Sequence, residues 1–236
     1  MNSLFPLSVI TPVSRPRNLN IIAESLIKAL NYFKQNNTNV DAKVTWYTIF
    51  ETKTPNAEID KQKWEEKVLS ADYPFNVVID GVSSPDIKCE EDRPSGGIQR
   101  NLAQKLINNS YICCVDDDNI MHEKYISYAY SLISKYQPKK HILSISIRDY
   151  PGTPQSGKRS HEDPLQVYWG KVDTRNILYF KDENNPVPDW REKRHDADFY
   201  FMKELHNMYK ENFVFVPYDH DPQNKDKHCT YYNYIK

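Results

Sequence analysis

Apolar residues in the first part of the chain alternate between short runs and a helical spacing. Leu7 to Ile10 form an apolar run that Thr11-Pro12 interrupts, which predicts a buried strand followed by a turn. Apolar residues then recur every three or four positions, which predicts a helix that begins at the capping residue Asn18. The positions with this helical period are Leu19, Ile22, Leu26, Leu30 and Phe33.

The alternation of strand and helix patterns continues as far as residue 115. Further strands are predicted over Lys43 to Phe50, over Phe75 to Ile79 before Asp80-Gly81, and over Tyr111 to Val115. Helices are predicted near Trp64 and from Gly96-Gly97 through Ile107. Strands that alternate with helices favour an α/β sheet with mostly parallel strands, and such sheets bind ligands at the carboxyl ends of their strands.

The second half of the chain is less regular. We predict a helix over His122 to Lys135, a strand over His141 to Ile147, a hairpin over Leu165 to Phe180, a helix over Asp198 to Lys210 and a strand over Phe213 to Val216. Residues 149–164 are rich in proline, glycine, serine and charge, which predicts a mobile loop. With no internal repeat and no clear linker, we expect one domain over residues 1–236.

Composition narrows the class of protein. The 236 residues carry 31 basic and 32 acidic side chains, a net charge of −1, which argues against a generally basic nucleic-acid-binding protein. A mean hydropathy of −0.76 without a long apolar run predicts no membrane span, and Met1 to Val13 lacks the pattern of a secretory signal. Cys113 and Cys114 lie in an apolar run, so we expect core thiols and a cytoplasmic location.

The most informative polar feature is Asp116-Asp117-Asp118, directly after a predicted strand. Adjacent carboxylates repel each other, and a bound hard cation such as Mg²⁺ or Mn²⁺ would offset that repulsion. On an extended chain Asp116 and Asp118 would point to one side and Asp117 to the other. The alternatives are a solvated loop or a cap for the helix that follows.

Two upstream motifs accompany the triplet. Residues 96–103 read Gly-Gly-Ile-Gln-Arg-Asn-Leu-Ala, and the first strand ends in Thr11-Pro12 before the polar turn Ser14-Arg15. Their order resembles the GT-A glycosyltransferases, especially the inverting enzymes that use nucleotide-diphosphate sugars. In that family a strand ending in Thr-Pro comes first, and an Arg-Asn pair precedes an Asp-x-Asp metal motif.

The resemblance implies a Rossmann-like, mostly parallel sheet flanked by helices. Residues 1–119 would bind the nucleotide-sugar, most simply a UDP-sugar, and residues 120–236 would bind a glycan or lipid-linked glycan acceptor. Mn²⁺ or Mg²⁺ would be held by Asp118 and Asp116, with His220, or alternatively His228, completing the site. Contacts to the sugar donor would come from Thr11, Pro12, Val13, Arg15, Glu51, Asp80, Arg100, Asp116 and Asp117.

One departure from the family concerns the nucleobase. The family often has an Asp-rich turn after the second strand, where this chain has Phe50-Glu51-Thr52-Lys53. Glu51 and Asp80 are the candidates for that role.

The candidate catalytic base lies late in the chain. The family places an aspartate at the start of a helix that leads to a strand and a proline. Asp198 and the run Val214-Phe215-Val216-Pro217 match this layout, while Asp196 fits it less well. A carboxylate is needed because the acceptor hydroxyl must lose a proton as it attacks the anomeric carbon. The alternative for both aspartates is a helix cap, and nearby Trp190 is either a sugar-stacking or a core residue.

The sequence therefore predicts a metal-dependent transferase that moves a sugar, with inversion, from a nucleotide-diphosphate sugar to a hydroxyl acceptor. One alternative is a sugar-phosphate nucleotidyltransferase, although Thr11 to Arg15 lacks the glycines of such enzymes. Another is a non-catalytic carbohydrate-binding protein with the same fold.

Overall fold

The computed structural model describes residues 4–37, 40–84, 96–136, 139–144, 174, 177–192, 196–216 and 232–234. The strands are β1 (Leu7–Val13), β2 (Val44–Glu51), β3 (Asn76–Val82), β4 (Ser110–Cys114), β5 (Asn119–Met121), β6 (His141–Ser144), β7 (Ile177–Lys181), β8 (Phe213–Val216) and β9 (Tyr232–Tyr234). The helices are α1 (Leu19–Asn36), α2 (Ala57–Ser70), α3 (Gly97–Leu106), α4 (Tyr125–Tyr136) and α5 (Ala197–Met208), with 3-10 turns over Pro16–Asn18 and Lys210–Asn212.

Seven of the described strands form one mixed sheet in the order β3-β2-β1-β4-β7-β6-β8. Strands β1 to β4 are mutually parallel, and β6 pairs in parallel with β8. Among the described strands of this sheet, β7 alone runs antiparallel to its neighbours. The carboxyl ends of β1, β2, β3 and β4 therefore meet at one edge, where the acidic triplet follows β4. Strands β5 and β9 form a separate antiparallel pair.

The side chains of β1 show how the sheet divides two apolar cores. Leu7, Val9 and Val13 point to one face, where they pack with residues of α1 and α4. Ile10 points to the other face and packs with residues of α3 and α5. Both faces are thus covered by helices, as expected for buried parallel strands. Cys113 and Cys114 are buried free thiols, one in each core, which confirms their expected place.

Most of the predicted elements are confirmed within a few residues, but three predictions need correction. Strand β1 does not stop at Thr11-Pro12 but runs through them to Val13, since that stretch pairs with β2. Asn18 precedes α1 without a side-chain cap, because its backbone is already helical, with φ −85° and ψ −14°. Strand β3 does not stop before Asp80-Gly81 but runs through them to Val82, since that stretch pairs with β2. The short strand β5 was not predicted.

Several other predictions lie partly or wholly outside the described residues. The predicted loop over residues 149–164 and most of the predicted hairpin fall there, as do His220 and His228. In the described part of the chain, no helix has both the length and the apolar character to cross a bilayer.

Candidate functional site

The acidic triplet forms a tight turn rather than an extended strand end. The Asn119 amide donates to the carbonyl oxygen of Asp116 at 3.0 Å, which closes a turn between β4 and β5. The prediction of an extended chain across Asp116 to Asp118 is therefore wrong. Each of the three carboxylates pairs with an arginine: Asp117 and Asp118 with Arg15, and Asp116 with Arg100.

Asp117 is the structural member of the triplet. Its carboxylate is 3% exposed, and Oδ2 accepts hydrogen bonds from the Ser14 amide at 2.6 Å, the Ser14 hydroxyl at 2.8 Å and the Arg15 amide at 2.5 Å. Its Oδ1 lies 3.1 Å from Nε of Arg15, and its carbonyl oxygen accepts from the Asn18 amide group at 2.8 Å. Asp117 thus fastens the turn after β1 to the turn after β4, and its carboxylate is occupied by that task.

Asp118 pairs with Arg15 at the open edge of the sheet. Nη1 of Arg15 lies 2.8 Å from Oδ2 of Asp118, and Nδ2 of Asn119 donates to Oδ1 at 3.0 Å. The side chains of Arg15 and Asp118 are 46% and 24% exposed. Burial disfavours the charge of Arg15, but the three neighbouring aspartates, Asp118 first, raise its pKa above the ordinary value. The guanidinium of Arg15 therefore already occupies one side of the Asp118 carboxylate.

Asp116 is held from the opposite side by Arg100 of α3. Nη2 of this buried arginine lies 2.5 Å from Oδ1 of Asp116, whose side chain remains 34% exposed. Thr174 donates its hydroxyl to Oδ2 of Asp116 over a longer 3.4 Å. The guanidinium carbon of Arg100 lies 4.9 Å from the ring centre of Trp190, so the charge rests on an aromatic face.

The electrostatics of Arg100 connect it with α5. Burial works against its charge, yet Asp116 above all, with a smaller contribution from Asp198, raises the pKa of Arg100. The candidate base is therefore close enough to Arg100 to affect it. Burial also raises the pKa of the neighbouring Cys114 to about 12, so this thiol stays neutral and is no nucleophile at physiological pH.

Asp196 and Asp198 occupy the N-terminus of α5. Asp196 stands at the N-cap position, but its side chain makes no capping hydrogen bond. Asp198 lies in the first turn, where Oδ1 accepts from the Phe199 amide at 3.0 Å. The helix N-terminus stabilises a negative charge on Asp198, and this position suits either a cap or a base.

The end of β1 supports the site from inside. The side chains of Thr11 and Val13 are buried, and Thr11 Oγ1 accepts from the indole of Trp46 at 2.9 Å. Thr11 is 0% exposed as a whole residue, so neither its side chain nor its main chain is open to a ligand in this structure. Pro12 packs against Gly96, where an added Cβ would lie 2.9 Å from the proline ring and where φ is +73°, so glycine is required there.

The two nucleobase candidates lie on the same edge, further from β4. Glu51 ends β2 and is buried, and its carboxylate accepts from the amides of Ser84 and Lys53 and from the Ser84 hydroxyl. Asp80 lies inside β3, and its Oδ1 accepts from the Gly81 amide at 2.7 Å. Glu51 therefore ties the ends of two strands together, whatever else it does.

The structure brings part of the predicted set together. Around the turn after β4 it gathers Arg15, Arg100, Asp116, Asp117, Asp118 and Asp198. Ser14, Asn18 and Thr174 also contact the triplet and were missed, because nothing in their local sequence distinguishes them from ordinary turn residues.

Only some ligands of a divalent cation are present in the described residues. Within those ranges, no three His, Cys, Asp or Glu side chains come together in a group that could hold a metal ion. Asp116 and Asp118 nevertheless present partly exposed carboxylates on one turn, and these hard oxygen donors suit Mg²⁺ or Mn²⁺. The donor set therefore fits such an ion but needs further ligands from water, substrate or the rest of the chain.

Comparison with known proteins identifies the fold. A scan against protein-family models gives no match, and neither does a search of curated proteins. Among solved structures, S. aureus TarS matches with a TM-score of 0.59, 14% identity and 96% of this chain covered. S. aureus TarS 1-349 in complex with UDP-GlcNAc gives 0.54, 16% and 86%, and the mannosyltransferase PcManGT from Pyrobaculum calidifontis in complex with GDP-Man and Mn²⁺ gives 0.54, 12% and 92%.

The chain spans 36%, 54% and 56% of the lengths of those three chains. At such identities the likeness establishes the fold alone. The predicted class, a mixed and mostly parallel GT-A sheet flanked by helices, is confirmed.

Proposed function

We propose that this protein is a metal-dependent glycosyltransferase that moves a sugar from a nucleotide-diphosphate sugar, preferably UDP-linked, to a hydroxyl of a glycan acceptor. The observation that carries the proposal is the acidic turn after β4, where Arg15 and Arg100 hold two partly exposed carboxylates at the carboxyl edge of the sheet. Structures of the same fold in complex with UDP-GlcNAc and with GDP-Man and Mn²⁺ support it.

Asp118 and Asp116 would hold Mn²⁺ or Mg²⁺, and His220 is the proposed third protein ligand. Such an ion would neutralise the charge that grows on the leaving diphosphate. Asp117 has a different task, because it keeps the turns after β1 and β4 joined. Arg15 is exposed enough to meet the diphosphate from the side of β1.

Asp198 is the proposed general base. Its carboxylate would accept the proton of the acceptor hydroxyl while that oxygen forms its bond to the anomeric carbon and the bond to the diphosphate breaks. One displacement of this kind inverts the anomeric centre. Asp198 is favoured over Asp196 because its charge acts on Arg100, the partner of Asp116. A lipid-linked glycan is one form of acceptor that this scheme allows.

The experiment measures UDP release from UDP-sugars with Mn²⁺, with Mg²⁺ and with EDTA. We expect release that EDTA abolishes, at least tenfold loss in Asp118→Asn and Asp198→Asn, and unchanged activity in Asp72→Asn. Asp72 is a matched control because it is exposed and lies before β3, at the opposite edge of the sheet.

Four outcomes would contradict the proposal. Pyrophosphate in place of UDP would indicate nucleotidyl transfer. Full activity in EDTA would mean that the reaction needs no metal ion. No metal-dependent heat on titration with UDP would leave a non-catalytic protein of the same fold. Retention at the anomeric centre, read by NMR of the product, would remove Asp198 as a base for direct displacement.

A further inference from the structure

The main chain of Trp190 is clamped by one side chain of α3. Oδ1 of Asn101 accepts from the Trp190 amide at 2.6 Å, and Nδ2 of Asn101 donates to the Trp190 carbonyl oxygen at 2.8 Å. Both residues are buried. A carboxamide is the side-chain group that offers an acceptor and a donor side by side, so asparagine matches both backbone groups at once.

Two further contacts seat the same segment on α3. Gln104 donates to the carbonyl oxygen of Pro188 at 3.2 Å. At Gly97 an added Cβ would lie 2.0 Å from the carbonyl oxygen of Arg191, so the backbones touch there. Residues 188–191, called here the Trp190 segment, thus follow the surface of α3 closely.

The ring of Trp190 lies between the two halves of the proposed site. On one side it carries the guanidinium of Arg100, whose Nη2 holds Asp116. On the other side it stacks on Phe201 of α5, with ring centres 3.9 Å apart and planes within 6°. Phe201 is three residues after Asp198, one turn along the same helix.

We propose that Asn101 is a positioning residue: by fixing Trp190 as a spacer between Arg100 and Phe201, it sets the distance from the metal-binding carboxylate Asp116 to the base Asp198. This inference rests on the proposed function and deepens it. The buried contacts from Asp116 through Arg100, Trp190 and Phe201 to α5 form one continuous packed row. A close-packed row transmits a displacement at one end to the other.

The clamp reaches the edge proposed to bind the sugar donor only through Arg100 and its bond to Asp116. Asp117 with Ser14, and Asp118 with Arg15, make their contacts without Trp190. Loss of the clamp should therefore loosen α5 while the binding of UDP and metal persists. If the role of Asn101 were purely structural, its loss would either weaken both the packing of α5 and the binding of UDP and metal, or affect neither.

The test compares Asn101→Ala with Gln104→Ala, which removes a single bond between the same helix and the same segment. Asn101→Asp is a second variant in case the alanine variant does not fold. Aspartate keeps an acceptor for the Trp190 amide. Each protein is measured by hydrogen exchange of the α5 amides, by calorimetry with UDP and Mn²⁺, and by UDP release from a UDP-sugar.

In Asn101→Ala we expect α5 protection to fall about tenfold, kcat to fall about 10–100-fold, and the Kd for UDP with Mn²⁺ to change far less than kcat. Gln104→Ala should change none of the three, and Asn101→Asp should be intermediate. Unchanged α5 protection, or Kd and kcat that weaken in parallel, would overturn the inference. A wild-type protein that releases no UDP would defeat the proposed function, while the exchange measurement would still decide whether Asn101 fixes α5.

Discussion

The ion pair between Arg15 and Asp118 predicts that loss of the Arg15 charge strengthens the binding of the metal ion and weakens the binding of the nucleotide. Arg15 supplies a positive charge 2.8 Å from the Asp118 carboxylate, which we propose as a ligand of the metal ion. Removing that charge in Arg15→Gln frees Asp118 for Mn²⁺, so the protein should bind the ion alone more tightly. The same change removes a guanidinium that would meet the diphosphate, so UDP should bind more weakly at saturating Mn²⁺.

The magnitude follows from exposure. The two side chains are 46% and 24% exposed, and ion pairs of this kind contribute about 0.2–1 kcal/mol. We therefore expect the Kd for Mn²⁺ to fall by about 1.4-fold to 5-fold in Arg15→Gln. The turn itself should survive, because Asp117 keeps its bonds to the Ser14 amide, the Ser14 hydroxyl and the Arg15 amide.

The assay is a Mn²⁺ titration followed by the electron paramagnetic resonance signal of the free ion, repeated with UDP. Arg17→Gln is the control, since it removes one exposed positive charge from the same turn. If both variants bind Mn²⁺ equally, only net charge matters. If Arg15→Gln binds Mn²⁺ more weakly than the wild type, Arg15 supports the carboxylate rather than competing for it, and the reasoning fails.

Three further predictions concern stability. Asp117→Ala leaves the Ser14 and Arg15 amides without their acceptor and should lower the free energy of unfolding, measured with urea, by about 2–3 kcal/mol; no loss would contradict its anchoring role. Burial lowers the pKa of His141 from 6.5 to about 4, so stability should be full above pH 6.5 and fall by about 3 kcal/mol towards pH 4. Unfolding titrations of His141→Phe should lack this pH-dependent loss. Gly97→Ala, whose Cβ would clash with Arg191, should lower Tm; an unchanged Tm would mean that the Trp190 segment moves freely.

The apolar pattern predicted most of the sheet because buried parallel strands appear as nearly continuous apolar runs. Strand β1 and strand β4 are examples, since every described residue in them is buried. Strand β5 escaped because three residues carry no period, and its partner β9 lies far along the chain. Sequence patterns miss such a strand because it is short and its partner is distant in the sequence, not because of its composition.

The site was predicted in its residue types but not in its geometry. Asp117 was predicted to contact the nucleotide, and the structure shows that its carboxylate bonds to Ser14, which lies 103 positions away in the sequence. Asn18 has the propensity of a cap, but its backbone is already helical, and its side-chain amide donates to the Asp117 carbonyl oxygen. Contacts between such distant positions leave no local signal, so only the folded chain reveals them.

The reversed direction of β7 has a consequence for how the chain can vary. Because β7 runs against β4, it begins beside the end of β4, and Thr174 just before it reaches the carboxylate of Asp116. Strands β1 to β4 bring their last residues to this edge of the sheet, whereas β7 brings its first. The approach to β7 can therefore change in length or chemistry, and remodel what surrounds the acidic turn, while the crossover helices of the first half stay as they are.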